Sequence, residues 1–354
     1  MTAGRSGDGH KRIVILGSTG SIGEQALEMV RAHPDRLTVA ALAAGSNAAR
    51  LADQSVEFGV ELLAIADESA AGGLSVDGAR VFTGPDGICD LISAAEADLV
   101  VGAISGVAGL RPLMVALEGG VDCALANKEP LVAAGGLVIE TARKAGAQLL
   151  PVDSEISAIF QCMRGERSSE VERILLTASG GPFSRLSEDE LQQVTPDRAL
   201  GGDVRQIEVV IHHQSIIHSM VQFHDGSVMA QMGPPDMRLP IGFALFYPDR
   251  VQNDLPRLSL PDVASLTFAR PDTQRFPCLR LAISAARAGR SYPVVLNAAD
   301  EVAVDAFLGG RIPFMRIPEL IERALEEHQA FDIDALGDVE EADAWARQYA
   351  HSLL

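Results

Sequence analysis

The stretch RIVILGSTGSIG, residues 12–23, decides how the rest of the chain is read. Residues 13–16 are an unbroken apolar run, as in a strand buried on both faces. Gly17, Gly20 and Gly23 follow at a spacing of three, and an amphipathic pattern over 22–32 begins at once. Glycines between a first strand and a first helix let a pyrophosphate approach the backbone and settle at the helix N-terminus. The competing reading, a glycine-rich turn with no ligand, loses ground because of that placement.

Outward from this stretch the same alternation continues. RIVILG, TVAALAAG, LLAIAD, DLVVGA, VDCALAN and AQLLPV are short apolar runs, and helical patterns such as 129–145 lie between them. Continuous apolar strands alternating with helices predict a parallel sheet covered on both faces, the doubly wound, Rossmann-like arrangement. The second run ends in ALAAGSN. An NAD site usually has an acid there for the ribose hydroxyls. This chain has Gly45, Ser46 and Asn47, with Arg50 one turn on, which favours a 2′-phosphate and hence NADPH.

After 151 the pattern changes. VERILLTAS, VRQIEVVIH, HSMVQFHD and SVMAQMG read as strands, the last two joined in a hairpin at Asp225-Gly226. Helical patterns fall near 154–164, 187–193 and 236–246, and Ser187 with Glu190 reads as a capping box. The expected class is therefore α/β with three domains. An N-terminal doubly wound parallel-sheet domain (12–150) follows a tail (1–11). A central α+β catalytic and dimerisation domain (151–251) comes next, then a linker (252–271) carrying Pro256, Pro261 and Pro271. A small C-terminal helical domain (272–354) completes the chain.

The 354 residues carry a formal net charge of −19, from 29 Lys and Arg against 48 Asp and Glu. A surface of that sign repels nucleic acid and anionic lipid, and no apolar run approaches membrane-spanning length. The cysteines Cys89, Cys123, Cys162 and Cys278 are scattered, which fits buried thiols in a reducing cytoplasm. The first residues lack the apolar core of a signal peptide.

Two further segments carry chemistry. LLPVDSE, 149–155, sets Asp153 and Glu155 around one serine at the mouth of a strand. Hard divalent cations such as Mg²⁺ or Mn²⁺ take oxygen ligands, and a turn can aim both carboxylates at one point; the plainer alternative is a solvated turn with a capping acid. LANKEPLV, 125–132, ends a later strand at the edge where ligands sit in parallel sheets, and makes Lys128 a substrate-facing cation. The plainer alternative there is a lysine exposed at a helix start beside Glu129.

GSTGSIG, LANKE, LLPVDSE, LLTASGGPF, QSIIHSMV, DGSVMAQ, PPDMRLPI and LNAADEVAV stand in order between 17 and 304. Together they resemble the 1-deoxy-D-xylulose 5-phosphate reductoisomerase family. The resemblance implies a cytoplasmic homodimer that rearranges the substrate's carbon skeleton and reduces the resulting aldehyde with NADPH, on the route to isoprenoids. It implies NADPH at Thr19, Gly20, Ser21, Ile22, Gly45, Ser46, Asn47, Asn127 and Glu129. It gives the sugar phosphate to Lys128, Ser154, Glu155 and Ser179, with Lys128 and Glu155 as the catalytic pair. Mn²⁺ or Mg²⁺ falls to Asp153 and Glu155.

The chain also departs from that pattern. In the family a lid and a following helix lie between TPDRAL and QIEV, and the helix supplies phosphate contacts and a third metal-binding glutamate. Here GGDVR, 201–205, alone bridges the two flanks. Asp203 and Glu208 are the nearest acids in sequence. Pro130, Ile156 and His213 stand where the family usually has Ser, His and Pro. Impaired turnover is expected, and two other readings compete: a catalytically silent NADPH-binding dimeric paralogue, and an oxidoreductase on an altered substrate.

Overall fold

A computed structural model describes residues 10–179 and 207–354. They fall into two compact units. One comprises Met1–Pro130, Val138–Ser157 and Asp236–Asp254; the other comprises Leu131–Leu137, Ala158–Pro235 and Leu255–Leu354.

The first unit is built on β1 (Lys11–Leu16), β2 (Leu37–Ala44), β3 (Leu62–Ile65), β4 (Arg80–Thr83), β5 (Leu99–Gly102), β6 (Asp122–Leu125) and β7 (Leu149–Pro151). They form one parallel sheet in the order β4-β3-β2-β1-β5-β6-β7, parallel as the alternating pattern predicts, with β4 an edge strand that has no counterpart among the six apolar runs. Helices α1 (Ser21–Ala32), α2 (Ala48–Phe58), α3 (Gly84–Ala94), α4 (Leu110–Glu118) and α5 (Glu129–Ala145) alternate with the strands, except that β3 and β4 are joined by a 3-10 turn at Glu68–Gly73. Ile13, Ile15, Leu42, Leu63 and Leu99 are fully or almost fully buried, which is why these strands are continuously apolar. Strand order reverses at β1, which lies between β2 and β5, so the ligand crevice of such a sheet opens at the C-terminal ends of β1 and β5.

Helix α6 (Ser154–Cys162) starts directly beyond β7. The pattern near 236–246, assigned in sequence to the central domain, forms α7 (Arg238–Phe246) within the first unit. It packs on α1 and is almost wholly apolar. A Cβ on Gly242 would meet the Met29 methyl at 3.0 Å, so the two helices approach closely there. Lys11 Nζ donates to the carbonyls of Leu245 and Tyr247 at 2.9 and 3.0 Å, satisfying the end of α7.

In the second unit β8 (Val171–Ala178), β9 (Ile207–Ile211), β10 (Ile217–Phe223) and β11 (Val228–Met232) make a mixed sheet in the order β11-β10-β8-β9. β10 and β11 form the expected hairpin, with Gly226 at φ +84° in its turn. The segment 252–271 holds a single helical turn at Leu260–Val263, and Ala269 pairs with Ile211 at the edge of β9. Helices α8 (Pro277–Ala288), α9 (Tyr292–Leu308), α10 (Arg316–Glu327) and α11 (Leu336–Ser352) enclose a core that includes Val295, Ala299, Leu320 and Ala346. The expected capping box at Ser187 and Glu190 lies outside the described residues.

Candidate functional site

The glycine turn sits where the strand order reverses. Gly17 has φ +82°, and a Cβ there would lie 2.4 Å from the Ala103 carbonyl oxygen. At Gly23 a Cβ would lie 2.3 Å from the Gly17 carbonyl oxygen, so this glycine lets α1 close onto the turn. Thr19 and Gly20 complete the turn, and Ser21 and Ile22 open the helix. No side chain caps α1 at Gly20, so its first N–H groups point outward with the positive end of the helix dipole. These features fit a pyrophosphate.

Beside this turn, Gly45, Ser46 and Asn47 follow β2. Asn47 caps α2 through its Oδ1, which accepts from the Arg50 N–H at 3.1 Å. Gly17 N and Ser18 N both donate to Ala43 O, at 2.8 and 2.9 Å, tying the two turns together.

Lys128 and Asp153 are far apart in sequence and meet because β6 and β7 are neighbours. Leu125 pairs with Pro151, and Val152 N donates to Leu125 O at 3.0 Å. The chain beyond each strand end therefore emerges side by side. Lys128 Nζ lies 3.6 Å from Asp153 Oδ2, an ion pair with side chains only 11% and 6% exposed. Asp153 Oδ1 also accepts from Glu155 N and Ile156 N, at 3.2 and 3.3 Å, as a cap for α6. Glu155 accepts from Ser154 Oγ at 2.8 Å. Burial pushes the Glu155 carboxyl up from its ordinary range, and the neighbouring Asp153 charge adds to this. Two carboxyls drawn together in a half-buried turn are an oxygen donor set of the kind hard divalent cations take. Among the described residues no third His, Cys, Asp or Glu joins them. Glu208 is instead paired with Arg173 on the second unit's sheet, at 2.5 Å, and Asp203 lies outside the described residues.

Asn127 is 8% exposed, and its amide is committed to the protein. Its Nδ2 donates to Ile104 O and to Gly106 O, and its Oδ1 accepts from the N–H of Glu129, the first residue of α5. It therefore braces the loop beyond β5, and its main-chain N–H donates to Gly102 O at 3.3 Å. A small apolar cavity lined by Leu16, Gly102, Ile104, Leu125, Asn127 and Pro130 lies at the ends of β1, β5 and β6. Ser179 belongs to the second unit, just beyond β8, where its carbonyl accepts from His213 Nδ1 at 2.7 Å.

Apart from Arg50, one part of this site has no counterpart among the sequence-derived residues. Ser18 and Gln54, both fully buried, bond each other twice: Ser18 Oγ to Gln54 Oε1 at 2.7 Å, and Gln54 Nε2 to Ser18 O at 2.9 Å. Gln54 Nε2 also reaches Glu24 Oε1 at 2.9 Å. Arg50 grips the same carboxylate with Nε and Nη2, at 2.6 and 2.8 Å. The only sequence signal was the i, i+4 spacing of Arg50 and Gln54 on α2.

The chain matches family models along most of its length. The model for 1-deoxy-D-xylulose 5-phosphate reductoisomerase covers residues 13–135, that for its C-terminal domain covers 149–203, and that for the DXP reductoisomerase C-terminal domain covers 232–349. A protein of this name from Heliobacterium modesticaldum is 48% identical over 381 positions, covering 96% of each chain.

The chain belongs to the 1-deoxy-D-xylulose 5-phosphate reductoisomerase family.

Solved reductoisomerases agree. The Zymomonas mobilis reductoisomerase in complex with NADPH is 37% identical, with a TM-score of 0.88 and 98% of each chain covered. A reductoisomerase in complex with NADPH, fosmidomycin and magnesium is 33% identical, with a TM-score of 0.88, covering 97% of this chain and 98% of the other. The 381 positions aligned with the Heliobacterium reductoisomerase exceed the 354 residues of this chain, so that relative carries residues with no counterpart here.

Proposed function

We propose that this chain is an NADPH-dependent reductoisomerase that converts 1-deoxy-D-xylulose 5-phosphate to 2-C-methyl-D-erythritol 4-phosphate with a bound Mg²⁺ or Mn²⁺. The observation that carries the reading is family membership along nearly the whole chain, joined to a first unit in which the glycine turn, Lys128 and the Asp153–Glu155 pair all lie at the C-terminal ends of the strands. When bound, NADPH supplies the hydride and the divalent cation supplies Lewis acidity.

The chain's own residues do the rest. The turn at Thr19, Gly20, Ser21 and Ile22 receives the pyrophosphate on backbone N–H groups. Gly45, Ser46 and Asn47 receive the ribose end. Asn127 and Glu129 frame the mouth of β6. Asp153 and Glu155 hold the cation. Lys128 places positive charge where the substrate's oxygens develop negative charge, and its ion pair with Asp153 keeps the ammonium aimed. Ser154 orients Glu155, and Ser179 receives the substrate phosphate.

We infer a homodimer acting in the cytoplasm. The edge strand β11 supports the first part, because Val228 and Met229 stand exposed on an unpaired sheet edge among the described residues. No helix among the described residues is long and apolar enough to cross a membrane.

A second reading keeps the fold and loses the turnover: an NADPH-binding paralogue with a silent substrate site. The bridge GGDVR favours it, since a lid and helix of the family have no counterpart there. One assay separates the two. NADPH oxidation is followed with 1-deoxy-D-xylulose 5-phosphate and saturating Mn²⁺, alongside NADPH titration by fluorescence. Binding with turnover supports the first reading, binding without turnover the second, and absence of NADPH binding defeats both.

A further inference from the structure

The relay from Ser18 through Gln54 and Glu24 to Arg50 begins in the glycine turn and ends in the first turn of α2. In a doubly wound sheet the pyrophosphate lies at the N-terminus of the first helix and the adenine ribose lies beyond the second strand. Here those places are held together by the bonds from Gly17 N and Ser18 N to Ala43 O. The ribose 2′ position therefore faces the turn 45–47 and the start of α2. No acid occurs between 45 and 52, and Arg50 is the sole basic residue there.

The geometry of Arg50 is specific. Its Nε and Nη2 lie on the two oxygens of Glu24, while Nη1 has no hydrogen-bond partner among the described residues. The side chain is 38% exposed. One edge of the guanidinium is thus anchored and the other faces outward. The anchor is itself fixed, because Gln54 ties the Glu24 carboxylate to the fully buried Ser18. A guanidinium held by one edge presents its remaining donors in a fixed orientation, which suits a phosphate dianion.

We propose that Arg50 reads the 2′-phosphate of the cofactor and sets the preference for NADPH over NADH, and that Glu24 is a positioning residue that holds the guanidinium for this purpose. The proposal rests on the NADPH reading above and deepens it. A tie that served only to join α1 to α2 would treat the two cofactors alike.

Fluorescence titration of NADPH and NADH into the purified chain, without substrate, tests this. Arg50→Ala is expected to weaken NADPH by ~10–100-fold, the scale of a lost charge-assisted bond, with NADH changed by less than ~3-fold. Arg50→Lys, which keeps the charge and loses the fork, is expected to fall between wild type and Arg50→Ala. Glu24→Ala leaves Arg50 charged but unheld, so its ordering on binding should lower the NADPH preference by ~3–10-fold. In the wild-type chain, modification of Arg50 by phenylglyoxal, read by mass spectrometry, should be blocked by 2′,5′-ADP and not by 5′-AMP. That labelling decides the matter even if Arg50→Ala fails to fold. Equal weakening of both cofactors, an unchanged preference in a folded variant, or labelling indifferent to 2′,5′-ADP overturns the proposal. A wild-type chain that binds no NADPH overturns the proposed function as well, and is recognised before any variant is made.

Discussion

A Cβ on Gly20 would meet only the Gly17 carbonyl oxygen, at 3.4 Å, whereas one on Gly23 would meet the same atom at 2.3 Å. The two glycines therefore serve different ends. Gly20 has φ −85°, which any residue adopts, so the fold itself does not require a glycine there, and the pyrophosphate proposed for this turn would explain it. Gly20→Val is expected to leave unfolding free energy within about 1 kcal/mol of wild type and to abolish NADPH binding, measured by denaturant titration and fluorescence. A Gly20→Val chain that still binds NADPH tightly would remove the pyrophosphate from this turn. Lys128 offers a second test. Its partner Asp153 is 6% exposed in its side chain, so removing the ammonium leaves a buried carboxylate without its counter-charge. Lys128→Met is expected to destabilise the chain by about 3 kcal/mol, and adding Asp153→Asn should recover most of it. A double variant no more stable than the single one would show that the pair does not carry the effect.

Helix ends and sheet edges supply the predictions at the next scale. Ser291 precedes α9 but does not cap it; its Oγ accepts from Phe331 N at 3.0 Å and meets His328 Nε2 at 2.7 Å. Tyr292, Phe331 and Trp345 surround the imidazole, with ring centroids 5.8, 5.8 and 4.6 Å away. Burial in this setting holds His328 below the ordinary histidine range. The unfolded chain then takes up a proton that the folded one resists, so stability is fully present above about pH 6.5 and is lost as pH falls through the folded value. His218 is shifted the same way by burial and adds to the slope. His328→Gln is expected to flatten, without abolishing, the fall in unfolding free energy between about pH 7 and pH 5; an unchanged slope would take His328 out of the account. At the other sheet, β11 begins with the exposed pair Val228 and Met229. Met229→Lys should shift sedimentation from dimer to monomer at micromolar concentration, because a charge on a paired edge opposes pairing. A wild-type chain that is monomeric at that concentration would refute the homodimer.

For the whole molecule the prediction turns on the proposed shortening at GGDVR, where the family's lid and helix are read as missing. A phosphate distant from the reacting carbons orients them, so losing its contacts slows the chemical step as well as weakening binding. Two lost charge-assisted contacts correspond to about 3–6 kcal/mol, or roughly two to four orders of magnitude in rate. Turnover of 1-deoxy-D-xylulose 5-phosphate is therefore expected to fall that far below the Heliobacterium relative, under saturating NADPH and Mn²⁺. NADPH affinity should match that relative's, since the first unit keeps its turn, its strand ends and its buried relay. Inserting the relative's segment between Leu200 and Gly201 should restore the rate. Turnover within tenfold of the relative before any insertion would mean that the chain needs no such segment.

Local pattern was enough for the class of fold, because strand and helix periodicities and a glycine turn are written in neighbouring residues. The six apolar runs from RIVILG to AQLLPV became six of the seven parallel strands, while the short half-exposed edge strand β4 was missed, and Thr19 to Ile22, Gly45 to Asn47, Lys128, Asp153 and Glu155 were all legible as positions of interest. What those positions do to one another was not legible. Lys128 meets Asp153 only because β6 and β7 pair in a register that sets Leu125 against Pro151. Glu24 meets Arg50 and Gln54 only because β1 and β2 are adjacent, which brings α1 and α2 together. The place of α7, read in sequence as central, was settled by its apolar surface closing on α1. Pairings between distant residues depend on strand order and register. Those are decided by how all the apolar faces are buried at once, which no single stretch of sequence specifies.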